Sequence, residues 1–121
     1  MIETVRTTLL HKRDYEAELF YLREYRTKSQ STLSAEQQAR IEYLKHELSR
    51  IHSWITLLTE DEAFIIKRHY FDGIDLPRIA LEFNNRWGTE YGRDERTLKR
   101  YQARALNRIA QFEVARSSIN N

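Results

Sequence analysis

Only four residues in this chain of 121 interrupt regular structure outright: Gly73, Pro77, Gly88 and Gly92. Hairpins and sandwiches depend on frequent turn residues, so a chain this poor in them has little room for either. The expected class is all-α. Apolar residues make up 40% and charged residues 31%. The first figure suffices for a core. The second implies a largely charged surface, as in elongated helical proteins with little interior. The length fits one domain, or one domain with a helical extension. No cysteine is present, which excludes a disulfide scaffold and thiolate metal sites.

Residues 2–27 carry an imperfect apolar stripe of Ile2, Val5, Leu9, Tyr15, Leu19 and Leu22, widened by Phe20, Tyr21 and Tyr25, and are expected to form one long helix. Residues 27–32 are a polar break. Ser34 and Gln37 then have capping-box spacing. The helix that starts there carries Ile41, Leu44, Leu48, Ile51, Ile55 and Leu58 at alternating steps of three and four. That is an a/d seam. Its partner could be the first helix folded back as a hairpin, a second copy of the chain, or both. Ile41, Leu44, Leu48, Ile51 and Ile55 are therefore the candidate oligomerisation residues, and residues 1–58 are expected to form a helical hairpin able to support a homodimer.

Thr59 and Glu62 form a second capping box, with acids in the first turn where the helix dipole favours them. The helix from Ala63 to Phe71 is apolar on more than one side, and Asp72-Gly73 ends it. Asp75 caps a further helix with Pro77 in its first turn. Leu76, Ile79, Ala80 and Phe83 form its inner face, and Asn84-Asn85 is its expected end. Residues 85–93 are expected to be a loop containing Trp87 and Tyr91. Last comes the helix 94–112, apolar at Leu98, Tyr101, Ala105, Ile109 and Phe112. Its other side carries Arg96, Lys99, Arg100, Arg104 and Arg108 with no intervening acid. Net charge is only +2, so distribution says more than bulk: residues 96–116 hold six basic side chains against Glu113 alone.

A capped buried helix, a glycine turn, a short helix with small Ala80 at the crossing and a basic amphipathic helix follow the order of a helix-turn-helix domain. Residues 58–80, with Tyr70-Phe71-Asp72-Gly73 and Arg78-Ile79-Ala80, resemble region four of bacterial sigma factors. Residues 94–101 and 104–110 resemble the ArpU and RinA families of small phage late-gene regulators still more closely. The resemblance covers about residues 57–113. It implies a sigma-like helix-turn-helix over 59–115, followed by a flexible tail at 116–121. It also implies a phage or prophage transcriptional regulator, acting in the cytoplasm of a bacterial host and binding double-stranded DNA. RNA polymerase is a further possible partner. One departure is the connection 84–93, longer than the tight turn of sigma-type domains, which gives Arg86, Trp87, Tyr91 and Arg93 scope for contacts of their own.

The charge pattern assigns DNA-binding roles. Arg96 and Arg100 are placed for bidentate contacts to guanine, with Thr97 beside them. Lys99, Arg104, Arg108 and Arg93 suit phosphate contacts, and Arg78 suits the backbone beside the groove. No enzyme is expected: there is no nucleophile motif and no glycine-rich phosphate loop. The four histidines lack metal-ligand spacing, so neither metal nor cofactor is expected. No apolar run is long enough to span a membrane. Two other readings remain, a DNA-packaging recognition protein of the small-terminase kind and a helical module that docks on RNA polymerase or another regulator.

Overall fold

The computed structural model describes residues 1–29, 32–88 and 94–120, and among these every regular element is helical. The helices are α1 (Ile2–Leu10), α2 (Lys12–Ser29), α3 (Ala35–Thr56), α4 (Glu60–Ile66), α5 (Leu76–Trp87) and α6 (Glu95–Asn120), with a π-helical turn, Lys67–Phe71, continuing α4. None is long and apolar enough among the described residues to cross a membrane.

The expected single helix over 2–27 is broken at His11, whose amide reaches the carbonyls of Thr7 and Thr8, both at 3.2 Å. The break has a packing cause. Val5 and Leu9 enter one core cluster, Leu19 and Leu22 another, and the stripe steps by six from Leu9 to Tyr15. A continuous helix would turn those two groups to different sides.

Helices α2 and α3 pack antiparallel. Tyr15 meets the edge of Tyr43 with ring centres 6.4 Å apart, and the Arg40 guanidinium donates to both carboxylate oxygens of Glu18 at 2.5 and 3.0 Å. Leu19, Leu22, Leu33, Ile41 and Leu44 fill the space between them. The capping box at Ser34 forms as spaced: the Gln37 amide donates to the Ser34 hydroxyl at 3.1 Å, and the Ser34 amide to the Gln37 side chain at 2.9 Å.

The candidate oligomer seam is covered within a single chain. Ile41 and Leu44 face α2, while Ile51 is buried with Val5 and Leu9 of α1 and with Ala105, Leu106 and Ile109 of α6. Leu48 and Ile55 are half-buried against the same clusters. An a/d side chain already enclosed by its own chain offers no apolar surface to a second copy. The cluster around Ile51 also includes Trp54, Ile66, Tyr70 and Phe71, so one core is shared across residue 58.

The π turn explains why α4 seemed apolar on several sides. The buried apolar residues of α4 and the π turn are Ile65, Ile66, Tyr70 and Phe71, two pairs five apart. Five residues overshoot an α-helical turn by more than a third and a π-helical turn by much less. The wider turn therefore keeps both pairs inward. It closes on Gly73, whose φ of 69° only glycine adopts cheaply, and the Ile74 amide reaches back to the Arg68 carbonyl at 3.0 Å.

Arg68 ties this turn to its neighbours. Its guanidinium donates to Glu82 of α5 at 2.8 and 2.6 Å and to Asp72 at 2.7 Å, and Arg13 of α2 reaches Asp72 as well. Hydrogen bonds from Arg68 hold the carboxyls of Asp72 and Glu82 below the ordinary carboxylate range, and the Arg68 charge adds to the effect. Both groups thus contribute stability that is complete above the unfolded carboxylate pKa of about 4 and is lost as pH falls through the lower folded-state values. Thermal melts of the parent should hold steady through neutral pH and fall on acidification. In Arg68→Ala the acid-side fall should be shallower and the neutral-pH midpoint lower. Parallel curves for the two proteins at all pH values would show that the network is energetically idle.

Candidate nucleic-acid interface

Helix α6 begins where its sequence signals place it. Asp94 precedes it and accepts the Thr97 amide at 2.8 Å. That bond, with the charges of Arg96 and Arg100, holds the Asp94 carboxyl below its usual range. The start of the helix is thus fixed by an anion that lies close to two of the candidate base-reading arginines.

One side of α6 is committed to the interior. Leu98 is fully buried in a cluster with Ile65 of α4 and with Leu76, Ile79 and Phe83 of α5; Ala80 and Tyr101 pack at its edge. Further along, Ala105, Leu106 and Ile109 enter the central cluster. Helix α6 therefore lies against α1, α4 and α5 at once. The pair α5 and α6 is held by large apolar contacts, so displacing α6 would expose much of the core.

The opposite side is where the expected cations lie, and they differ in freedom. Arg96 and Arg100 are exposed and have no ion pair with any described residue. Lys99 is exposed and only loosely paired with Glu95 at 3.5 Å. Arg104 is exposed with its guanidinium over the Tyr101 ring, 5.4 Å from the ring centre. Arg78 of α5 is exposed and 3.8 Å from Glu82. Thr97 is half-buried, its amide engaged by Asp94. Arg93, like Tyr91, lies outside the described residues.

Arg108 needs a correction. It was expected to touch phosphate, but its guanidinium donates to Glu62, a buried carboxylate that also accepts the Thr59 amide at 3.0 Å. The capping box of α4 thus doubles as the anchor for α6. Pulling Arg108 away would leave a buried carboxylate without its counter-charge, which is costly. Sequence spacing hid this pair because its members lie 46 residues apart.

Two other expectations change at the α5 end. The helix runs past Asn84-Asn85 to Trp87 and stops at Gly88, whose φ is 85°. Trp87 stacks on Phe83 with centres 4.3 Å apart and meets the edge of Phe64, so it packs and is not a free loop ring. Arg86 lies over the Trp87 ring and donates to Glu60 at 3.0 Å. At the other end of the chain, α6 continues through Asn120. Residues 116–120 belong to the helix and do not form a separate tail.

The structure adds residues that charge alone did not single out. Ala103, Asn107 and Gln111 line an open groove of about 480 Å³ along α6 together with Arg100, Arg104 and Arg108. Their spacing marks one helical stripe, but small and amide side chains give no charge signal. Among the described residues no group of three or more His, Cys, Asp or Glu is placed to hold a metal ion. A comparison with protein-family models found no match, and comparisons with curated proteins and with solved structures found no significant match to either.

Proposed function

We propose that this chain is a sequence-specific, double-stranded-DNA-binding transcriptional regulator that inserts the first turns of α6 into the major groove. The observation that carries the reading is the pair Arg96 and Arg100, exposed and without ion-pair partners among the described residues, on a helix whose other side is locked into the core. Arginine forks match the O6 and N7 acceptors of guanine. Lys99, Arg104 and Arg78 then contact phosphates, which set register and salt dependence. The order α4, glycine turn, α5, α6 fits the sigma-region-four resemblance, and with it a phage-type regulator working in a bacterial cytoplasm.

The test is selection of bound duplexes from a random pool at fixed salt, followed by affinity measurement across salt concentrations. The expected result is a guanine-containing consensus, and affinity that falls with salt by about 0.9 log units per log unit for each phosphate contact. An unenriched pool and salt-independent retention would sink the proposal. A second reading, a helical module that docks on a protein such as RNA polymerase, is favoured by Phe20 and Tyr21 of α2, 67% and 64% exposed. It expects that second outcome.

A further inference from the structure

Four exposed side chains of α6 share one line along the helix. At 3.6 residues per turn, Ala103 and Asn107 lie within about 20° of Arg96 around the axis, and Arg100 within about 40°. Lys99 lies about 60° to one side of Arg96, and Arg104 about 80° to the other. All six are exposed, and Arg100, Ala103, Arg104 and Asn107 line the same open groove. Asn107 differs from the cations around it. Its amide has no hydrogen-bond partner among the described residues. It carries no charge, so it adds nothing to counterion release. What it offers is a donor and an acceptor side by side.

We propose that Asn107 is a specificity-determining residue that selects adenine beside the guanine held by Arg100, an inference that rests on the DNA reading above. Three features support it. First, its position. A helix lying in the major groove turns its central line to the base edges and its flanks to the two phosphate strands. Asn107 is on the line with Arg96 and Arg100, and Lys99 and Arg104 flank it. Second, its reach. Asparagine is shorter than arginine, so α6 must come closer to the bases at Asn107 than at Arg100. Ala103, one turn earlier on the same line, leaves room for that approach and suits a thymine methyl. Third, its chemistry. Adenine presents the N6 donor and the N7 acceptor together, which an asparagine amide matches; guanine presents two acceptors and leaves the amide oxygen unpaired. From Arg100 to Asn107 is about 10 Å along the axis. That is about two to three base pairs at about 3.4 Å each or slightly more along the curving groove. Asn107 reads in the register that Arg96 and Arg100 hold, since one amide contact does not fix a helix in the groove. The line ends there. Beyond it α1 stands beside α6, and Glu3 lines a groove with Asn107 and Gln111. Although Arg6 pairs with Glu3 at 2.6 Å, an exposed acid opposes a phosphate at Gln111.

The experiment compares duplexes selected from a random pool by the parent and by Asn107→Ala, with circular dichroism to confirm retained helicity. Asn107 is exposed and alanine is the better helix former, so the substitution spares the fold. The parent consensus should hold an adenine about two to three base pairs from its guanine. The variant should keep the guanine and the salt slope, and its preference for that adenine should fall by about fivefold to 150-fold. Replacing the adenine by 7-deazaadenine, which lacks the N7 acceptor, should weaken the parent by about twofold to twelvefold and leave the variant unchanged. The analogue acts on the unaltered protein, so the test holds even if the variant misfolds. Four results would each refute the assignment of Asn107 and leave the DNA reading standing: a guanine consensus without adenine at that spacing, an adenine preference kept by the variant, equal weakening of all duplexes in the variant, or a parent indifferent to 7-deazaadenine. A parent that selects no duplex would refute the DNA reading, and the assignment would fall with it.

Discussion

Replacing Arg96 and Arg100 together by alanine should abolish selective DNA binding while leaving the fold intact. Each bidentate arginine–guanine contact discriminates by about 1–3 kcal/mol, so the pair accounts for roughly thirtyfold to twenty-five-thousandfold. Neither side chain is paired with a described residue, so their loss costs the folded chain little. Alanine is also the better helix former. The contrast with neighbouring positions makes the result specific. Lys99→Ala should weaken binding to all sequences alike and lower the salt slope by about 0.9. Arg108→Ala should lower the unfolding midpoint, because Glu62 then stays buried without its partner. Competition binding against the selected site and a scrambled duplex reads the first effect, and denaturant unfolding reads the last. Unchanged selectivity in the double variant would refute the assignment of α6 as the reading helix.

What the sequence made legible was local. The two capping boxes, the Asp75 cap with Pro77 behind it, and the Gly73 stop are fixed by side chains within a few residues of one another, and the structure forms each of them. The all-α class follows from the same short-range chemistry. What stayed hidden was the choice of partner. The a/d seam of α3 announces that it must be covered, and nothing in its spacing says that α1, α2 and α6 do the covering. The break at His11 lacks a glycine or proline to mark it and arises because two cores compete for one stripe. The five-residue spacing of Ile65-Ile66 and Tyr70-Phe71 was visible, but only the surrounding core turns it into a π turn. For the candidate site, Arg96, Lys99, Arg100 and Arg104 were accessible to pattern because charge on an amphipathic helix shows itself. Arg108 has the same pattern and a different role, decided by a carboxylate far away in the chain.

Trp54→Ala should bring the protein close to global unfolding. Trp54 is fully buried at the meeting point of α1, α3, the π turn and α6. Truncating a buried tryptophan to alanine costs about 3–5 kcal/mol through lost transfer energy and the cavity left behind. The same change removes the donor to Glu113, which is 7% exposed and keeps only looser cationic neighbours, Arg50 at 3.5 Å and Arg116 at 3.8 Å. A buried acceptor that loses its bond adds about 1–3 kcal/mol. Against a total stability of about 5–15 kcal/mol for a domain, the sum leaves little margin. Trp54→Phe separates the two contributions: it keeps most of the ring and loses only the N–H, so it should cost about 1–3 kcal/mol. Urea unfolding followed by fluorescence reads both variants, since Trp87 remains as a reporter in the α5 cluster. If Trp54→Ala unfolds within about 1 kcal/mol of the parent, then α3 and α6 are not joined by this residue. The stiffness that α6 needs to present its arginines must then come from the α4 and α5 contacts and from Arg108 on Glu62.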